Sequence, residues 1–110
     1  MNHSSMQAVP ALAAVRLHDM TLVRLILDWD AGHCTAEING AVVPETSGVR
    51  LRWTGVTGVE IPREYPWGPS ESINGAKGPI DGRYEIEMQS GDTIFVRATA
   101  CTIQFDSPAV

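Results

Sequence analysis

His18 and Asp19 stand side by side where the chain's first long patterned segment begins. A His-Asp pair can serve metal-dependent hydrolysis or proton transfer, but a divalent cation needs three or more protein ligands to hold it. Only His3 and His33 remain as histidines, the first of them close to the chain terminus. The pair is better explained by an Asp19 carboxylate bonded to local backbone at a strand start. A nucleophile would need Ser, Thr or Cys beside a base. The serines lack the Gly-x-Ser-x-Gly turn, and both cysteines belong to apolar alternations, Cys34 with Ala36 and Ile38, Cys101 with Ile103 and Phe105. That pattern reads as two reduced core thiols. A bridge between them would be worth about 4 kcal/mol, but only with α-carbons within roughly 7 Å of each other. Glu85 and Glu87 lie roughly 7 Å apart on one strand face and superficially match a carboxylate pair. Their apolar alternates place them on a solvated face, whereas an acid catalyst needs a desolvated one. Gly75, Gly78 and Gly82 are not spaced as a phosphate loop, and no helix follows them. The sequence predicts no catalytic residue, no metal ligand and no cofactor.

Composition narrows the partners. The 110 residues, 44% apolar and 19% charged, supply one domain with one core, since chains this short bury roughly two thirds of their unfolded surface. The net charge is -5, with one lysine and seven scattered arginines, which opposes nucleic acid as a partner and favours a protein with a basic surface. The first 14 residues hold no basic stretch, and Pro10 interrupts the short apolar run at 8–15. That predicts a cytoplasmic chain. No apolar run approaches the roughly 20 residues of a membrane helix.

The elements follow from alternation. Residues 1–15 read as a tail with at most a short strand or turn, and 16–106 as a single β domain. In TLVRLILDW, residues 21–29, Val23, Leu25, Leu27 and Trp29 share one face, a period of two. Asp30, Ala31 and Gly32 make a turn into CTAEI, so the two segments form a hairpin. A longer second strand or a bulge is expected near Gly40, with a loop at 44–48. VRLRWTGV alternates Val49, Leu51 and Trp53 against Arg50, Arg52 and Thr54, and a short strand around Val59 and Ile61 ends at Pro62. Residues 62–82 show no periodicity and read as one long loop. GRYEIEMQ resumes alternation, and TIFVRATACTIQF changes face in mid-run, which implies a bulge or a strand passing between two packed sheets. The expectation is an all-β fold of about six mostly antiparallel strands forming a small sandwich or partly open barrel.

The long loop is the distinctive feature. In IPREYPWGPSESIN, residues 61–74, Tyr65 and Trp67 are flanked by Pro62, Pro66 and Pro69. Proline fixes φ and lowers the entropy lost on ordering, so the segment is stiffened. Loops of this length are usually functional or disordered. The loop at 62–76 therefore reads as a partner-binding surface, with Tyr65 and Trp67 as anchors, Arg63 and Glu64 as orienting charges, and Ser70 and Asn74 as hydrogen-bonding groups. The competing reading folds Trp67 back as a plug for an open end of the sandwich.

The stretches HDMTLVRLILDW, RLRWTGV, IPREYPWGPSESIN and YEIEMQSGDTIFVRA together cover about residues 17–100. In them the chain resembles a family of small bacterial β-rich proteins with no activity to carry over, and more loosely the immunity proteins of toxin systems. The resemblance implies a non-enzymatic cytoplasmic protein that binds and blocks a toxin, for which a basic nuclease would suit an acidic chain. The leading expectation is such an interaction module. The alternatives are a small-ligand-binding or hydrolytic domain using His18, Asp19 or the glutamates, and a homo-oligomeric structural domain, a homodimer for example, that buries Trp67.

Overall fold

A computed structural model describes residues 6–40, 48–64 and 71–106. Within them the chain is all-β. Nine strands run in order: β1 (Gln7–Ala8), β2 (Thr21–Asp28), β3 (His33–Asn39), β4 (Gly48–Thr54), β5 (Gly58–Glu60), β6 (Ile73–Ile80), β7 (Arg83–Met88), β8 (Thr93–Arg97) and β9 (Ala100–Asp106). One helical turn, Leu12–Ala14, is of 3-10 type, and no helix among the described residues is long and apolar enough to cross a membrane.

The strands form two antiparallel sheets, ordered β1-β9-β4-β3-β2 and β5-β8-β7-β6. Alternation decides what faces inward. Cys34, Ala36 and Ile38 of β3, Val49, Leu51 and Trp53 of β4, and Cys101 and Ile103 of β9 are buried from the first sheet. Tyr84, Ile86 and Met88 of β7 meet them from the second, with Ile94 and Val96 of β8. Trp53, fully buried, packs tilted against Tyr84 with ring centroids 6.2 Å apart. The chain passes between sheets at one corner, where Thr99 N–H and Oγ1 both donate to Thr54 O at 3.0 Å and Thr57 N–H donates to Arg97 O at 2.9 Å. Gly55 turns this corner at φ +62°, with Thr99 occupying the space a Cβ would need. The face change in TIFVRATACTIQF is this crossing: β8 belongs to one sheet and β9 to the other.

Four expectations are corrected. The described residues form nine strands rather than about six. Residues 73–80, read as part of the long loop, form β6 against β7, with register shifts at 73/75 and 77/80 that erase the alternation. In β2 a register shift between Leu22 and Arg24 makes Val23 an extra residue, so Leu22, opposite Ile38, joins Leu25 and Leu27, opposite Ala36 and Cys34, on the inward side. Trp29 lies in the turn, 87% exposed, and not in the core. At the other end, residues 7–14 are attached to the domain: β1 pairs with β9, and Val9 and Leu12 are buried. The loop expected at 44–48 lies almost wholly outside the described residues; β3 ends at Asn39 and β4 begins at Gly48.

Trp53 is opposite Cys34 on one side and Cys101 on the other. Two strand spacings of about 4.8 Å separate the cysteines, which exceeds disulfide reach, and both thiols are free and buried. Burial pushes Cys101 from its ordinary 9.0 up to about 12 and raises Cys34 in the same direction. Tyr84 is raised as well, by burial first and by neighbouring Cys101 second. An unfolded chain would release its thiol protons near pH 9 while the folded chain keeps that of Cys101 until about 12. This contribution to stability is therefore complete below pH 9 and declines as pH rises towards 12. Urea midpoints should fall over that window, with a shallower fall in Cys101→Ala, and neither thiol should react with a neutral-pH thiol reagent until the protein unfolds.

Candidate functional site

The ends of the proline-aromatic loop meet two other segments of chain, residues 19–22 and the turn after β7. At its exit, Leu22 N–H donates to Glu71 O at 2.8 Å, Ile73 N–H to Met20 O at 2.9 Å, Asp19 N–H to Ile73 O at 2.8 Å and Gln89 N–H to Ser72 O at 2.8 Å. Asp19 accommodates this at φ +68°, a left-handed conformation that Asp tolerates better than most residues. These bonds and the isolated Thr21–Ser72 bridge join the edge of one sheet to the edge of the other. At its entry, Glu64 N–H donates to both carboxylate oxygens of Asp92, at 3.2 and 3.1 Å.

Asp92 owes its position to the turn after β7. Gly91 N–H closes on Met88 O at 3.0 Å, Met88 N–H donates to Asp92 O at 2.8 Å, and Ser90 Oγ donates to Asp92 Oδ2 at 3.2 Å. Ser90 and Asp92 are the two buried polar residues of the described chain. A carboxylate is expensive to bury unless donors converge on it, and here they do. Gln89 of the same turn reaches Asp19 Oδ1 at 2.5 Å and Ile73 O at 3.3 Å through Nε2. The MQSGD turn thus grips both ends of the PWGPS loop. Between loop entry and β2 lies a cleft of about 270 Å³, walled by Leu22, Leu25, Ile61, Met88 and Ile94, with Ser90 and Asp92 also lining it.

Of the six residues expected to bind a partner, Tyr65, Trp67 and Ser70 lie outside the described residues, and so does the question of a Trp67 plug. Arg63 and Glu64 are exposed at the loop entry. Asn74 is not on the loop: it belongs to β6, where its Nδ2 donates to Glu87 Oε1 at 2.8 Å and its carbonyl accepts from His18 Nδ1 at 2.7 Å. Sequence reasoning missed Gln89, Ser90 and Asp92, because a Ser-Gly-Asp step between two strands reads as an ordinary turn. The signal was Asp92 itself, placed where a strand must begin next to apolar Ile94.

The remaining chemistry is surface pairing. His18 and Asp19 side chains are 64% and 71% exposed, with Nε2 and Oδ1 3.5 Å apart, and Asn74 links His18 to Glu87. Glu85, read as solvated, is instead largely covered and lies between Lys77 at 3.7 Å and Arg83 at 3.5 Å. Arg83 also stands over the Phe95 ring at 5.2 Å. Among the described residues no group of three or more His, Cys, Asp or Glu could hold a metal ion. Comparison with family models, curated proteins and solved structures gave no match, and the site is read from its geometry alone.

Removing the Asp92 carboxylate leaves Glu64 N–H and the Ser90 hydroxyl without their acceptor. Asp92→Ala should cost about 1–3 kcal/mol in chemical denaturation and accelerate trypsin cleavage after Arg63. Asp92→Asn, which keeps one acceptor oxygen, should fall between this variant and the parent.

Proposed function

We propose that this chain is a non-enzymatic protein-interaction module that presents residues 62–76, the proline-aromatic loop and the start of β6, to another protein, in the manner of an immunity protein that masks its toxin. One observation supports the reading above the others: the loop is clamped at both ends by backbone and carboxylate hydrogen bonds from two distant segments, residues 19–22 and the turn after β7. A segment tied at both ends loses less conformational freedom on binding than a free one, and that saving appears as affinity. Three prolines within the loop add to the same effect. The recognition residues are Arg63, Glu64, Tyr65, Trp67 and Ser70, with Asn74 beside them on β6; large aromatics and arginine dominate binding energy in most interfaces.

The charge balance favours a basic partner. A net charge of -5 on 110 residues accelerates encounter with a positive surface at low salt, and the acceleration fades as salt rises. The reading places the protein in the cytoplasm, without membrane, nucleic acid or cofactor as partner.

The test is co-expression with the product of the adjacent gene, followed by calorimetry of the purified pair at several salt concentrations. A complex that weakens with salt, loses ten-fold or more of its affinity in Trp67→Ala or Tyr65→Ala, and tolerates Gln104→Ala on β9, three strands away from β2, is expected. No association at low salt, or an association indifferent to the loop variants, would reject the proposal.

A further inference from the structure

Among the described residues strand β2 lies at the edge of its sheet. Among the described residues it pairs only with β3, apart from the Leu22–Glu71 bond and the Thr21–Ser72 bridge at its start. Two bonds fix which backbone groups face outward. Leu22 N–H points away from β3, to Glu71 O, and Asp28 O accepts from Gly32 N–H inside the β2–β3 hairpin at 3.0 Å. With Val23 as the extra residue, alternation turns the peptide groups of Arg24, Ile26 and Asp28 towards β3 and those of Leu25 and Leu27 towards the open edge. Between and beside Arg24 and Asp28 it carries exposed apolar side chains: Val23, Ile26 and Leu27 are 43–44% exposed and Trp29 is 87% exposed. Such an edge is a template for another strand.

We propose that a second copy of this chain occupies it, with β2 pairing antiparallel to β2 of the partner about a two-fold axis at Ile26. The segment 23–29, VRLILDW, is complementary to its own reverse. Ile26 faces its own copy, Leu25 faces Leu27, Arg24 faces Asp28, and Val23 faces Trp29. Leu25 and Leu27, whose peptide groups point outward, become the hydrogen-bonded pairs, and Ile26 becomes the close non-hydrogen-bonded pair on the axis. Two opposite-charge pairs flank the axis on the outer face, where Glu37 already holds Arg24 through Nε at 3.0 Å. The exposed indole of the partner's Trp29 comes to Val23 and Ile61, at the cleft beside the loop entry. Moving the axis one residue either way sets Arg24 or Asp28 against Ile26, so charge selects this register. The inference stands apart from the partner reading above.

The test is sedimentation of the full chain over a wide concentration range, with circular dichroism confirming that each variant is folded. A concentration-dependent dimer is expected. Arg24→Asp and Asp28→Arg each set like charges opposite one another and should weaken self-association at least ten-fold, while an equimolar mixture of the two should form a heterodimer. In Ile26→Cys the two sulfurs meet across the axis, with α-carbons about 4.5 Å apart, within disulfide reach. Mild oxidation should therefore yield a covalent dimer, and Thr35→Cys, one strand further in, should not. A wild-type chain that is monomeric at every concentration overturns the proposal. So does a dimer indifferent to the charge swaps, or one in which Thr35→Cys cross-links as readily as Ile26→Cys.

Discussion

The hydrogen-bonded seam between the start of β2 and residues 71–73 is the constraint on which this molecule depends. Two sheets packed only through side chains would leave the chain between β5 and β6 loose at their margin. Here Met20, Leu22, Glu71 and Ile73 exchange backbone bonds, and Asp19 and Gln89 add two more. Each is worth only about 0.5–1.5 kcal/mol net. Their larger effect is to leave few backbone groups unpaired where irregular chain meets a buried core that includes Ile73, Met20 and Leu17. A loop fixed at its ends can be long at small entropic cost, because closure cost rises only logarithmically with length.

The seam also joins stretches that are far apart in the chain. HDM brings Asp19 and Met20, MQSGD brings Gln89 and Asp92, and ESIN brings Glu71 and Ile73. None of them closes the corner alone. Gln89 exemplifies the dependence, since its backbone N–H and its side-chain amide hold two different neighbours. The buried Asp92 is tolerable for the same reason: its carboxylate receives the Glu64 N–H and the Ser90 hydroxyl together. A half-assembled corner would strand a charge in a low-dielectric setting, which ties the loop entry to the rest of the fold.

How much of this was legible in the sequence follows from where alternation survives. β3, β4, β7 and β8 alternate cleanly, and their inward residues are the ones period two indicates. β6 was invisible because Gly75, Gly78 and Pro79 lack the usual strand side chains and two register shifts scramble the pattern. At Gly78 the backbone turns to φ +118°, with Arg83 O only 2.6 Å from where a Cβ would be, a close approach that no local pattern announces. In β2 the sequence shows an unbroken alternation, but the extra residue at Val23 shifts the phase, and a bulge of this kind is chosen by the neighbouring strand. The prolines and aromatics of 61–74 stand out in the sequence; the hydrogen bonds at residues 64 and 71–73 do not, because the groups that make them are 16 to 70 residues apart in the chain and carry no chemistry of their own.

An uncovered apolar edge is ordinarily a hazard, since any strand can add to it and a heterologous contact can propagate into a fibre. Proteins blunt such edges with charges, and β2 has two, Arg24 and Asp28, of opposite sign and equidistant from Ile26. Against an arbitrary strand they would be left opposite whatever residue falls there, an unfavourable neighbour more often than not. Against their own reversed copy each meets its complement. The same two residues that disfavour promiscuous pairing would therefore favour one closed, two-fold arrangement in which both open edges are consumed. The bulge at Val23 adds to this by ending regular pairing beside Leu22, whose N–H is already taken by Glu71. In the proposed dimer the ladder could not slide towards the loop without breaking the seam that holds the loop in place.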